Sequence, residues 1–202
     1  AGKTPILIGG GHNNALPLLE AYFTACQQAC SAINIDPHAD FRALEGRHSG
    51  NGFSYAMDQG FLNRYFVFGL HESYNSESML KRMDQSEFVD YNSFEDIAIR
   101  GNLGLGQAMD QAMVFVQQPC GLELDIDAVV GAPASAATVQ GWNPSEARKL
   151  VHSLANKSPF EYLHLPEFAA ELHQGQLGAW SKWMAHLIID FIKAQRAYGK
   201  SN

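Results

Sequence analysis

The stretch Asp36-Pro-His-Ala-Asp40 constrains the chain most, because it places three metal-type side chains within five residues of an apolar run, Ser31-Ala-Ile-Asn-Ile35. The run reads as a buried strand. In open α/β sheets, ligands gather beyond the carboxyl ends of strands. Two further units repeat this layout. Ile6-Leu-Ile8 leads through Gly9-Gly-Gly11 to His12, and Gly121-Leu-Glu-Leu-Asp-Ile-Asp127 ends in the acidic pair Asp125 and Asp127. Three strand ends converging on one point would bring together His12, Asp36, His38, Asp40, Asp125 and Asp127, enough for two divalent ions.

The ligand chemistry agrees. Carboxylates and neutral imidazoles suit manganese, iron, nickel or zinc, whereas a structural zinc site draws on cysteine. If the chain stays extended past Ile35, Asp36, His38 and Asp40 share one side. A solvated acidic loop is the alternative for this segment. For 121–127, leucine and isoleucine alternate with acids, as in a solvent-facing edge strand. A strand running into a cation centre explains the pattern better, since crowded carboxylates repel unless cations balance them.

The 202 residues suit one substantial domain, and 46% hydrophobic content supplies a core. A formal charge of -7 with no basic stripe excludes nucleic acid as an expected partner. No apolar run reaches membrane-spanning length. Cys26, Cys30 and Cys120 form no disulfide framework; Cys26 and Cys30, four apart, read as core thiols on one helix face. A cytoplasmic enzyme is expected. The chain opens almost at once on an interior-type strand, so a missing N-terminal segment is expected.

Further elements follow from periodicity and caps. Helices are expected over about 15–29, from about 54, from about 76, over 103–117, from Pro144 to about Asn156, and over 180–198. Strands are expected at 64–68, 87–91 and 160–165, with a connecting turn at 94–100. Asn143, Pro144 and Glu146 form a strong helix start. His164 reads as a packing residue, His48 as loop structure, and Met109 and Met113 as core filler. The polar loop 41–53 carries Arg42, whose guanidinium matches a carboxylate, with Ser49 and Asn51 as further hydrogen-bonding groups. Glu167, just past the last strand, is a fourth strand-end acid suited to a cationic nitrogen group.

Gly10-Gly11-His12, Asp36-x-His38-x-Asp40 and Asp125-x-Asp127 together resemble the three signature segments of the arginase/agmatinase/formimidoylglutamase (ureohydrolase) family. The resemblance extends from Ile6 through the terminal helix. It implies a three-layer α/β/α fold with a mostly parallel sheet, and a single catalytic domain over 1–202 that lacks the family's first strands and helices. It also implies two Mn2+ ions. His12, Asp36, Asp40 and Asp125 would hold one, and His38, Asp36, Asp125 and Asp127 the other, with Asp36 and Asp125 bridging. Hydroxide shared by the ions would attack a linear amidine carbon. Glu167 would orient the reacting group, and Asp40 or Asp127 would pass a proton to the leaving nitrogen. Arg42, Ser49 and Asn51 fall where the family holds the amino-acid end of its small-molecule substrate. Trimers or hexamers occur in the family, so a homo-oligomer is expected.

Three positions depart from common members. Gly11 stands where many have aspartate, so a partner of His12 is absent or replaced. Asp127-Ala-Val-Val130 lacks the usual Asp-Pro. Phe53 occupies the place of a proton-shuttling histidine in arginases. Phe53 and Arg42 favour formimidoylglutamases, which convert N-formimidoyl-L-glutamate to L-glutamate and formamide. An agmatinase- or arginase-like guanidino hydrolase, and a non-catalytic metal-binding member, are the alternatives.

Overall fold

The computed structural model describes residues 2–169, Glu171 and 177–201. Six strands form one sheet: β1 (Ile6–Ile8), β2 (Cys30–Ile35), β3 (Leu62–Leu70), β4 (Val89–Ser93), β5 (Cys120–Leu124) and β6 (Leu163–Leu165). Their order is β1-β6-β5-β2-β3-β4, and every pairing is parallel. A parallel sheet needs helices over both faces. Here α1 (Ala15–Cys26), α2 (Gly52–Asp58) and α3 (Glu77–Asp84) share one apolar cluster with Ala32, Tyr65 and Val67. The opposite cluster joins Ile33, Phe66 and Leu122 to α4 (Leu105–Val116), α5 (Pro144–Lys157) and α6 (Leu177–Ser201). The expected three-layer α/β/α arrangement is therefore present.

Local chemistry sets the boundaries. β2 is buried at all six positions, as its central place requires. α5 starts at Asn143, whose side chain accepts from the Ser145 and Glu146 amides while Glu146 reaches back. α1 stops at Cys26 rather than Ala29, because Gln27 turns left-handed at φ 53°. This corrects the expectation for the cysteines. Cys26 is exposed at a helix end and Cys30 is buried at the start of β2, so they share no helix face. Residues 94–100 are not a simple turn: Glu95–Ile99 form a π-helix, closed by the Arg100 amide on the Glu95 carbonyl at 2.7 Å.

β5 lies between β6 and β2, and all five of its residues are buried, which excludes the edge-strand reading. Leu122 and Leu124 face the α4–α6 core, so Glu123 faces the opposite layer. Register sets Glu123 beside Asn34 of β2 on one side and His164 of β6 on the other. A polar row thus crosses the buried sheet directly beneath the strand ends. α6 fixes the approach to β6. The Gln195 amide donates to the Ala155 and Ser158 carbonyls and accepts from the Phe160 amide.

Gly121, two residues before Glu123 on β5, is tightly covered, since a Cβ there would lie 2.1 Å from two ring carbons of buried Tyr162. Gly121→Ala is expected to cost roughly 1–3 kcal/mol through overpacking. Urea unfolding should show a lower midpoint with an unchanged slope; an unchanged midpoint would contradict this packing.

Candidate metal centre

Four neighbouring strand ends deliver the site. After β1, Gly9 and Gly10 both take φ 77°, a left-handed turn that glycine adopts without a steric penalty. The turn drops His12 into full burial. After β2 the chain does not stay extended. Asp36 Oδ1 accepts from the His38 amide at 2.7 Å, and Asp40 turns to φ 45°. The expected alternation of Asp36, His38 and Asp40 is therefore replaced by a compact bend. Asn75 braces that bend, accepting from the Ala39 amide at 2.9 Å and donating to the Pro37 carbonyl at 3.0 Å. After β5, Asp125 Oδ1 accepts from the Asp127 amide at 2.7 Å, and Asp127 accepts from the Ala136 amide at 2.9 Å. After β6, Glu167 holds φ 61° while its amide donates to the Gly10 carbonyl.

These bends bring the predicted side chains together. His12 Nδ1 lies 2.8 Å from Asp125 Oδ2, 2.9 Å from Asp40 Oδ2 and 3.3 Å from Asp36 Oδ2. Potential ligand atoms from these four residues all fall within 4.8 Å of one another. His38 Nδ1 stands alongside, 3.3 Å from Asp36 Oδ1 and 3.8 Å from Asp127 Oδ2. One ring N–H cannot satisfy three carboxylates. Such crowding of buried anions fits a divalent cation, and the all-oxygen-and-imidazole donor set suits a first-row metal.

Electrostatics record the same crowding. Burial drives Asp127 up to about 6, with nearby Asp36 and Glu167 reinforcing it against the Ala136 amide. Burial and the Asp36 charge raise Asp125 well above the carboxylate range. Burial opposes a charged His38 ring, but Asp36 outweighs it and, with Asp40 and Asp127, lifts that ring to about 9. Burial likewise opposes a charged His12, yet Asp125, Asp36, Asp40 and Glu123 raise it well above its ordinary value.

The expected substrate residues divide. Glu167 Oε1 accepts from the His12 amide at 2.7 Å, and its Oε2 accepts from the Ser135 hydroxyl at 2.6 Å. Glu167, Arg42 and Ser49 line a cleft of about 670 Å³ together with His38, Asp40, Asp125 and Asp127. Arg42 is 60% exposed and paired with Glu45 at 2.8 Å. Asn51 is a correction: it is fully buried, and its amide donates to the Ala43 and Gly46 carbonyls while its oxygen accepts from the His48 amide. Its polar groups are consumed in holding the loop. His48 is part of the same loop, accepting from the Gly50 amide. Phe53 is buried and meets the His12 ring edge-on at 5.2 Å, a contact that carries no proton.

Sequence reasoning missed several partners. Glu123 is fully buried with Oε2 3.0 Å from His12 Nε2, so the ring does have a carboxylate partner despite Gly11. His164 is more than packing, because its Nδ1 lies 2.7 Å from the same oxygen. Tyr74 was not among them: the polar stretch His71, Glu72, Tyr74 and Asn75 past β3 reads as able to contact a substrate or orient a ligand, and Tyr74 does stack on His38, its hydroxyl meeting Thr138 at 3.0 Å. Ser135 sat in a stretch that carried only small residues as a signal.

The arginase-family profile matches residues 1–192. This chain belongs to the arginase family. A formimidoylglutamase of Macrococcus caseolyticus is 26% identical over 200 residues, covering 93% of this chain and 59% of that protein. The formimidoylglutamase structure from Bacillus subtilis superposes with a TM-score of 0.82 at 18% identity, covering 96% of this chain and 61% of the other. A Trypanosoma cruzi formiminoglutamase structure with Mn2+ gives 0.79 at 20%, covering 94% and 66%. At these identities the two structural likenesses concern the fold. The chain spans about three fifths of the length of the first two relatives. Among the described residues, no helix is long and apolar enough to cross a membrane.

The raised imidazoles give chelator-treated protein a pH dependence. A histidine whose folded value exceeds its ordinary 6.5 contributes its full stability below about 6.5 and loses it as pH climbs through the folded value, about 9 for His38. His12 adds in the same direction. Thermal melts in excess chelator should therefore show the melting temperature falling between pH 6.5 and 9. A constant or rising value would contradict these ion pairs.

Proposed function

We propose that this family member hydrolyses a linear amidine C–N bond, with N-formimidoyl-L-glutamate as substrate and L-glutamate and formamide as products. The observation that carries the reading is one cleft in which His38, Asp40, Asp125 and Asp127 present side chains together with Glu167 and Arg42. The named relatives support the choice of substrate.

In this reading His12, Asp36, Asp40 and Asp125 would hold one Mn2+, and His38, Asp36, Asp125 and Asp127 would hold the second. Bound there, the cations supply the Lewis acidity that makes water nucleophilic near neutral pH. The protein's own residues do the rest. Glu167 has roughly four lone-pair positions, and the His12 amide and Ser135 hydroxyl use two of them. The remainder can accept from the substrate's amidinium N–H groups, holding its carbon toward the cluster. Water adds to that carbon, the bond to the glutamate nitrogen breaks, and Asp40 or Asp127 returns a proton to the leaving amine. Arg42 recognises a substrate carboxylate, which must displace Glu45, and the Ser49 hydroxyl lies on the same wall.

The free thiols at Cys26, Cys30 and Cys120 support a reducing compartment, consistent with the cytoplasm. A homo-oligomer is consistent with the family.

Manganese-loaded protein should release formamide from N-formimidoyl-L-glutamate. Urea from arginine or agmatine, with no formamide, would favour the guanidino reading. Full metal loading without turnover on any of these would favour a non-catalytic protein. Asp125→Ala should lower bound manganese below one ion per chain and abolish turnover; unchanged metal content would overturn the bridging role. Arg42→Ala removes a charge-assisted contact of roughly 1.5–3 kcal/mol. It should therefore raise KM about tenfold or more with little change in kcat, and an unchanged KM would remove Arg42 from substrate recognition.

A further inference from the structure

Glu123 is a buried carboxylate that the proposed chemistry does not use. It lies at 0% exposure beneath the ligand cluster, two residues before Asp125 on β5. Three side chains converge on it. Oε2 lies 3.0 Å from His12 Nε2 and 2.7 Å from His164 Nδ1, and Oε1 accepts from the Tyr162 hydroxyl at 2.8 Å. An ionised carboxylate only accepts hydrogen bonds. Both imidazole nitrogens that face it must therefore carry their protons.

We infer that Glu123 is a positioning residue that fixes the tautomer and rotation of His12. With the proton held on Nε2 by Glu123, a neutral His12 ring has its lone pair on Nδ1. That is the nitrogen facing Asp125, Asp36 and Asp40. β5 and the turn after it thus grip one imidazole at both nitrogens, through Glu123 below and Asp125 above. Hydrogen bonding of a ligand histidine's other N–H to a carboxylate fixes its orientation and raises its basicity. The register makes the grip rigid, since Glu123 is flanked by His164 in the adjacent strand and its backbone is locked on both sides. His164 shares the oxygen that faces His12 and turns the carboxylate toward it, whereas Tyr162 bonds the other oxygen. Among the described residues His164 Nε2 has no hydrogen-bond partner, so hydrogen bonding orients this ring through Nδ1, with the His12 ring edge-on at 5.7 Å.

The inference rests on the reading of His12 as a metal ligand, and the test separates the two. Manganese(II) binding to the full chain is followed by equilibrium dialysis and calorimetry for the wild type, Glu123→Gln and Tyr162→Phe. Glutamine keeps the volume and an oxygen that can meet both imidazoles in place of Oε2, but it carries no charge, so both contacts lose their charge assistance and the His12 ring loses basicity. Glu123→Gln should weaken one of two bound ions by roughly 10–100-fold and leave the other within about twofold. Tyr162→Phe removes a bond to the same carboxylate without touching His12, and should retain both ions. Equal losses in the two variants, or no loss in either, would overturn the inference and leave Glu123 a packing residue. A wild type that binds no manganese would instead overturn the metal reading itself. A second measurement needs no variant: nitrogen NMR of the zinc-loaded wild type should show His12 protonated at Nε2. Protonation at Nδ1, with Nε2 on the metal, would overturn the inference.

Discussion

The structure depends on one imidazole held between two carboxylates, one on β5 and one just past its end. His12 enters from β1, yet both nitrogens of its ring are met by β5 and the turn after it, through Asp125 at 2.8 Å and Glu123 at 3.0 Å. This contact ties the edge of the sheet to its centre across the intervening β6. It is tolerable in full burial only because every partner is fixed. An uncompensated buried charge costs several kcal/mol or more, so each acid here has a specified neighbour. Asp36 is bound by the Asn34 amide, Asp127 by the Ala136 amide, and Glu167 by Ser135.

Much of this was legible in the sequence because charge is informative where apolar strands end. Asp36, His38 and Asp40 follow a fully buried strand, and Asp125 and Asp127 follow another. The structure sets Asp36, Asp40 and Asp125 against His12, with His38 between Asp36 and Asp127 alongside. The strong cap at Asn143 located α5, since its signal is local and chemical. The mostly parallel sheet was legible through the family resemblance carried by the three signature segments, and the structure bears it out.

What stayed hidden depended on neighbours that a linear sequence does not reveal. Glu123 looked like the polar half of an alternating strand until strand order placed β5 in the interior and register set it beside His164. Asn51 looked like a hydrogen-bonding group for a ligand. The loop folds back on itself and uses both ends of that amide. The bend at Asp40 was hidden for a related reason, because its left-handed φ comes from bracing by Asn75, 35 residues further along.

The position of β6 has a consequence for assembly. It follows β5 and α5 along the chain, yet it sits between β1 and β5. Until residues 163–165 dock, β1 has no strand partner among the described residues, and His12 has no route to its position beside β5. The ion-binding corner is therefore closed by a long-range insertion, in a chain whose contacts span 155 residues from His12 to Glu167. Such non-local closure is slow by the general dependence of folding rate on topology. Nascent chains and truncated fragments would carry every acid of the first two signatures without the corner that unites them. Capture of metal would therefore follow the docking of β6 rather than precede it.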